Sequence, residues 1–361
     1  MLKIIEKIET KREKMKTQKY KVILASASPR RKEILGKTGI DFEVQVSDCD
    51  ENIDENRPDE LVMKLSEQKA KAVAAKNPDA IINIVAHRSN NQRQQIAQSY
   101  YNQFNKNIQD DFRSNFSSDF RDVLVALFYP PIDYDCYEIN NAMKGLGTNE
   151  DTLIEIIATR PNERINQIKL RYAQLFKKEL INEIDSETSG FFKKILLDLL
   201  QGQRNVNPNP NDKECDDCAK QLYFAKQGKK DILQETYANI FTKKSREELA
   251  LIAKHYYEWY KKTLLEEVEK LFSGDPRRVL KAIIFSLLSP SEYFAYRINK
   301  ALKKLSTNDT ILIRVLVSRD EIDIKRIKRY YEQQYTVKLY DAVKNEISGD
   351  YQKILLALIG E

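Results

Sequence analysis

The chain has 361 residues, 42% hydrophobic and 32% charged, with a formal net charge of +6. That balance fits a folded protein rather than a disordered one, and no apolar run reaches the roughly 20 residues a spanning helix needs. Basic clusters such as KKSREE and RRKE are interleaved with acids, as on solvated helix faces, so no nucleic-acid partner is expected.

Residues 1–19 form a basic extension. It is charged throughout and lacks the apolar stretch of a signal peptide, so a cytoplasmic location is expected. Residues 20–80 have a different character. YKVILASASPRRKEIL reads as a strand, a Ser-Pro turn and a helix; FEVQVSD reads as a second strand, and RPDELVMKLSEQKAKAVAAKNPDA as a helix. DCDENIDENRPD, from Asp48, makes a poor EF-hand, because Ile53 takes the glycine position and Asp59 the place of the closing glutamate.

The S-A-S-P-R-R motif of this front segment resembles the Maf-type nucleotide pyrophosphatases, α/β enzymes that cleave nucleoside triphosphates to monophosphates. The resemblance implies that Ser26, Arg30 and Arg31 hold phosphates, with Lys69 and Asp50 or Glu51 assisting. Arginines beside a helix N-terminus suit that task. The resemblance stops near Ile82, however. NIVAHRSNNQRQ then reads as helix, and Ala86 falls where the family's aspartate belongs. A truncated, catalytically inactive segment is expected.

From about residue 81 the chain repeats itself. NFSSDFRDVLVALFYPP, ETSGFFKKILLDLLQGQ, LFSGDPRRVLKAIIFSLLSP and EISGDYQKILLALIGE share a Ser-Ser or Ser-Gly pair ending at Ser118, Gly190, Gly274 and Gly349. The intervals are 72, 84 and 75 residues. They divide the chain into a partial first unit (81–131), a second (132–203), a linker with a third (204–290) and a fourth (291–361). The longest interval holds QRNVNPNPNDKECDD, read as a connector without apolar periodicity. Its Cys215 and Cys218 lack nearby partners for zinc, since the only histidines are His87 and His255. Reduced thiols are expected.

Each complete unit reads as five helices and no strand, giving a mainly all-α protein with a small α/β front. In the second unit, CYEINNAMK precedes the glycine loop. TLIEIIATR follows it, with Thr148 expected as the helix cap and Asp151 as its capping-box partner. Pro161-Asn162 restarts the chain into RINQIKLRYAQLF, then come KKELINEI, the Ser-Gly turn and FFKKILLDLL. Tyrosines at helical spacing (Tyr256, Tyr257, Tyr260; Tyr330, Tyr331, Tyr335) are expected in the core. The first unit lacks its first helix; SEQKAKAVAAK is expected to stand in, with Asn77-Pro78-Asp79 as the turn after it.

MKGLGTNED places two of the chain's 10 glycines one residue apart, at Gly145 and Gly147, before a run of oxygen-bearing side chains. AMKGLGTNEDTLIEIIATR, followed by SETSG, resembles the annexin family, whose signature joins a K-G-x-G-T loop to an acid about forty positions later. Here Gly145 and Glu187 are 42 residues apart. Ca²⁺ takes about six to eight oxygens. The carbonyls of Met143, Gly145 and Gly147 with a bidentate Glu187 can supply part of that shell, leaving room for water or lipid phosphate. So few charges imply weak affinity.

The resemblance implies calcium-dependent binding to anionic phospholipid at a membrane surface. It adds a minor site at the Thr148 carbonyl and Glu150, and lipid contacts from Lys144 and Leu146. The other units depart from the pattern. Lys304 and Ser306 replace the glycines of the fourth, although Glu346 keeps the acid spacing. The third has AKQGKKD and Leu271, and the first has Asn115 and no glycine loop.

Overall fold

The computed structural model describes residues 22–46, 78–145, 147–206, 208–303 and 307–360. The expectations for residues 1–19, Asp48, Asp50, Glu51, Ile53, Asp59, Lys69, SEQKAKAVAAK, Asn77, Leu146, Lys304 and Ser306 lie outside the described residues. At the front, strands β1 (Val22–Leu24) and β2 (Phe42–Val44) pair in parallel, Val22 opposite Phe42. Helix α1 (Pro29–Gly36) links them, the crossover a parallel pair requires. Pro29 suits the first turn of α1, where a missing N–H costs nothing.

From residue 78 onward the described residues are helical. The first unit contains α2 (Pro78–Val85), α3 (Asn90–Phe104), α4 (Ile108–Asn115) and α5 (Ser118–Leu127). The second contains α6 (Pro131–Ala142), α7 (Glu150–Thr159), α8 (Asn162–Phe176), α9 (Leu180–Glu187) and α10 (Gly190–Leu200). The third has α11 (Asp212–Ala225), α12 (Lys230–Lys243), α13 (Arg246–Tyr260), α14 (Leu264–Leu271) and α15 (Gly274–Leu288). The fourth has α16 (Pro290–Leu302), α17 (Asp309–Arg319), α18 (Ile324–Tyr335), α19 (Leu339–Glu346) and α20 (Gly349–Ile359).

Local signals explain the boundaries, including several the sequence reading misplaced. Pro78 and Asp79 do not form a turn; they open α2, where proline fits and an acid complements the helix dipole. NIVAHRSNNQRQ is not one helix. It divides after Val85, because Ser89 forms a capping box with Gln92 and starts α3 anew. The connector is shorter than expected: the Asn211 side chain accepts from Glu214 N–H, so α11 begins at Asp212 and takes in KECDD. The rest of the connector is anchored. Arg204 donates to the carbonyls of Phe241 (2.8 Å) and Lys244 (2.7 Å), satisfying the open end of α12. In every unit a residue with left-handed backbone (Asn105, Lys177, Lys261, Thr336) ends a long helix, α3, α8, α13 and α18 in turn.

One continuous apolar cluster runs from Ile82 to Ile359. Tyr256 and Tyr331 lie within it and Tyr260, Tyr330 and Tyr335 pack at its margin, whereas Tyr257 is exposed to solvent, a departure from the expected core position. The units close on one another: α15 packs against α7, α17 against α5, and α20 against both α2 and α5. A buried ionic knot joins the second and fourth units. Glu155 accepts from Arg297 Nε and Arg314 Nε, both at 2.8 Å, and Arg314 Nη1 donates to Glu138 at 3.0 Å. Burial alone would raise the Glu155 carboxyl, but the two guanidiniums outweigh it and hold it below its ordinary value.

Candidate metal centre

The loop from Met143 to Asn149 joins α6 to α7. Asn149 N–H donates to the Ala142 carbonyl at 2.7 Å, closing the loop at its base. Gly145 and Gly147 have φ of +95° and +89°. A Cβ added at either would meet nothing within 4 Å. Glycine is therefore needed for its backbone conformation and not for space.

The N–H groups of Met143 and Lys144 turn back to the carbonyls of Asn140 and Asn141, both at 3.3 Å. Among the described residues, the carbonyls of Met143, Gly145 and Gly147 accept no hydrogen bond. Met143 is half-buried against the core, while Lys144 and both glycines are exposed.

Asn149 caps α7, accepting from Thr152 N–H at 3.1 Å, so the expected cap at Thr148 is corrected. Thr148 is occupied elsewhere. Its hydroxyl donates to Glu187 Oε2 at 3.1 Å and lies 3.3 Å from the Glu187 carbonyl. Asp151 makes no capping box either. Its carboxylate sits between Arg278 Nη1 (2.8 Å) and Lys300 Nζ (3.4 Å), tying the start of α7 to the third and fourth units. Glu150, the first residue of α7, lies 3.9 Å from Arg278.

Glu187 is the last residue of α9, exposed and unpaired with any base among the described residues. The acid position falls at this place in every unit: Asn115 ends α4, Leu271 ends α14 and Glu346 ends α19. The Asn115 amide donates back to the Asp111 carbonyl at 2.7 Å, a structural use. In the fourth unit Asn308 N–H reaches the Ala301 carbonyl at 2.9 Å, and its side chain caps α17 at 3.1 Å from Ile311 N–H. That loop keeps the base closure seen in the second unit.

The loop carbonyls and the Glu187 carboxylate are oxygen donors, the kind that suits a hard cation such as Ca²⁺. No group of three or more His, Cys, Asp or Glu side chains fit for a metal occurs among the described residues. Cys136, Cys215 and Cys218 are buried and free, and burial pushes the Cys215 thiol up to about 11. No described helix is long and apolar enough to cross a membrane. At the front, Ser26 is buried and accepts from Arg31 Nη1 and Ser28 N–H, each at 3.3 Å, whereas Arg30 is exposed.

Sequence reasoning missed the Glu155, Arg297 and Arg314 knot. Its signal was present as single charges inside apolar helical runs, TLIEIIATR and ILIRVLVSR.

The sequence profile described as Annexin matches residues 68–127, 134–199, 218–283 and 293–358, and the profile described as Maf-like protein matches residues 21–87. Annexin A1 isoform p37 of Columba livia is 36% identical over 292 residues, covering 80% of this chain and 85% of that protein. The solved structure of annexin A8 superposes with a TM-score of 0.78 at 31% identity, covering 86% of this chain and 97% of that one. A calcium-bound annexin (Sm)1 structure gives 0.70 at 32% identity, covering 79% and 85%.

Proposed function

The chain belongs to the annexin family, and from that premise we propose that it binds anionic phospholipid membranes through a calcium ion held in the second unit. The observation that carries this reading is the bridge from Thr148 to Glu187, which brings the only glycine-bearing loop of this type against its distant carboxylate. Met143, Gly145 and Gly147 would offer carbonyls, and Glu187 both carboxylate oxygens once Thr148 yields. The Thr148 carbonyl and Glu150 would form a minor neighbouring site. Lys144 and Leu146 would meet lipid. Association is peripheral and on the cytoplasmic side. Support comes from the open carbonyls at the loop and from a related structure described as calcium-bound. Co-sedimentation with phosphatidylserine vesicles, in calcium and in chelator, tests it: a calcium-dependent component is expected, and its absence would overturn the reading.

A single site limits avidity, because a second contact acts at high effective concentration once the first is made. The fourth unit retains Glu346 and the closure from Asn308 to Ala301. Replacing Lys304 and Ser306 together by glycine removes a charge repelling the cation and two residues that resist positive φ. Calorimetric titration should then show added calcium stoichiometry; an unchanged titration would mean that the loop path itself has diverged.

The Maf-like match favours a second reading, nucleoside triphosphate pyrophosphatase, for the front segment. We propose that this activity is absent. Ser26 and Arg31 are together, but Ala86 stands in place of the aspartate and is buried in the helical core. Losing one essential base alone commonly costs about 10²–10⁴-fold. No pyrophosphate release above background is expected with Mg²⁺ or Mn²⁺, and turnover abolished by Arg30→Ala would refute this.

A further inference from the structure

A cavity of about 200 Å³ lies where the second, third and fourth units meet. One wall is α15, which carries Arg277, Arg278 and Lys281, and another is α16, which carries Arg297 and Lys300. The helical period explains the convergence. Arg277 and Lys281 are four positions apart and Arg297 and Lys300 three, so each pair shares a face of its helix. Two acids complete the charged lining, Asp151 at the start of α7 and Glu269 of α14.

These two carboxylates are shared among five cations. Asp151 faces Arg278 Nη1 at 2.8 Å, Lys300 Nζ at 3.4 Å and Arg297 Nη1 at 3.6 Å. Glu269 bonds Lys281 and lies 3.7 Å from Arg277 Nη1. Outside the lining, Asp275 bonds Arg278, with Glu150 3.9 Å from it, and Glu155 bonds Arg297 but also serves Arg314. The field at the cavity is positive even so. Burial acts to raise the Asp151 carboxyl, yet Arg297, Lys300 and Arg278 hold it below its ordinary value. One donor group is also left over: Arg297 is 3% exposed, and its Nη2 has no acceptor among the described residues. A buried charged donor without an acceptor costs free energy that an entering anion would relieve.

We propose that this cavity binds a small soluble phosphate anion, of mono- or diphosphate size, independently of calcium and of the calcium loop. Guanidiniums offer paired N–H donors that match phosphate oxygens, and lysines add compact charge. The rings of Phe285 and Tyr296 lie parallel in the lining, 6.1 Å between centroids, and give the cations an apolar neighbour. Low local dielectric there strengthens their pull on an anion. Enclosure favours a free anion over a lipid headgroup. Arg297 and Tyr293 in the lining are both buried, so full contact needs a phosphate that can leave the bilayer plane.

The full-length protein is titrated with inorganic pyrophosphate by calorimetry, in chelator and low salt. Saturable binding near one-to-one stoichiometry is expected, with a Tm that rises as the anion is added. Arg277→Gln with Lys281→Gln should weaken binding roughly tenfold or more, since two charge-assisted contacts are lost. The Glu269 that these two leave behind is half exposed, so the fold should hold. Arg297→Gln should weaken binding as well; if circular dichroism shows it unfolded, the double variant decides. Arg30→Ala with Arg31→Ala should titrate as the unmodified protein does, and a loss of binding there would move the anion to the front segment and overturn the proposal. An absence of saturable heat, or a cavity double variant that binds as tightly as before, would also overturn it. Vesicles containing phosphatidic acid, in chelator, should treat the unmodified protein and the cavity variant alike. A difference there without pyrophosphate binding would assign the cluster to a headgroup phosphate and refute the soluble ligand.

Discussion

Glu187→Gln should remove most of the calcium-dependent vesicle binding and leave the fold as stable as before. The carboxylate is the only side-chain charge proposed for the main site, and the amide keeps its size while losing charge and bidentate coordination. Calcium half-saturation of binding should rise roughly tenfold or more, since ligand charge count sets affinity in oxygen sites. Stability should change by no more than about 0.5 kcal/mol, as expected for an exposed position. The local geometry supports that: the glutamine carbonyl can still accept the Thr148 hydroxyl that now bonds Glu187 at 3.1 Å. Pelleting at unaltered calcium would place the ion elsewhere, and a lowered Tm would make Glu187 a structural residue.

Glu155→Ala should produce the opposite pattern, a large loss of stability through a buried charge on α7, the helix that follows the calcium loop. Glu155 is 1% exposed and is the shared acceptor of Arg297 and Arg314, themselves buried. Removing it leaves Arg314 with Glu138 alone (3.0 Å) and Arg297 with the more distant Asp151 (3.6 Å), so the Nε–H of each loses its acceptor in a dry interface between the second and fourth units. Neither Arg297 Nη2 nor Arg314 Nη2 has an acceptor among the described residues, so no spare donor arrangement takes over. Breaking a buried pair from one side costs about 3–5 kcal/mol. Urea denaturation would read this as an earlier midpoint, and a change below about 1 kcal/mol would show that water already solvates the knot.

The same group sets a pH dependence. The folded Glu155 carboxyl titrates below its unfolded value because the guanidiniums stabilise its charge against the cost of burial. Its contribution is complete above the unfolded carboxylate range and is lost as pH falls through the lower folded value. Asp135 behaves alike: burial acts to raise it, but Arg160 and Arg164 at 2.9 Å hold it down. Acid should therefore unfold the Glu155→Ala variant with a shallower added penalty than the unmodified protein.

Sequence alone determined the repeating helical plan, because apolar residues at helical spacing and a recurrent Ser-Gly pair are local features. The loop at Gly145 and Gly147 was legible for the same reason: two positive-φ positions one residue apart demand glycine whatever surrounds them. The distance to Glu187 was also readable, since in each unit that position ends the short helix before the Ser-Ser or Ser-Gly pair, α4, α9, α14 and α19 in turn. Which of several eligible oxygens caps α7 was not. Thr148 and Asn149 both qualify chemically; Asn149 takes the cap, as Asn308 does in the fourth unit, while the Thr148 hydroxyl bonds Glu187, 39 residues later. Asp151 likewise left its local role for Arg278 and Lys300, which come from other units. Charges inside apolar helices look like errors in a one-dimensional pattern. Tertiary packing decided that Glu155, Arg297 and Arg314 meet, since a buried charge is tolerable only where the fold brings its partner within hydrogen-bond reach.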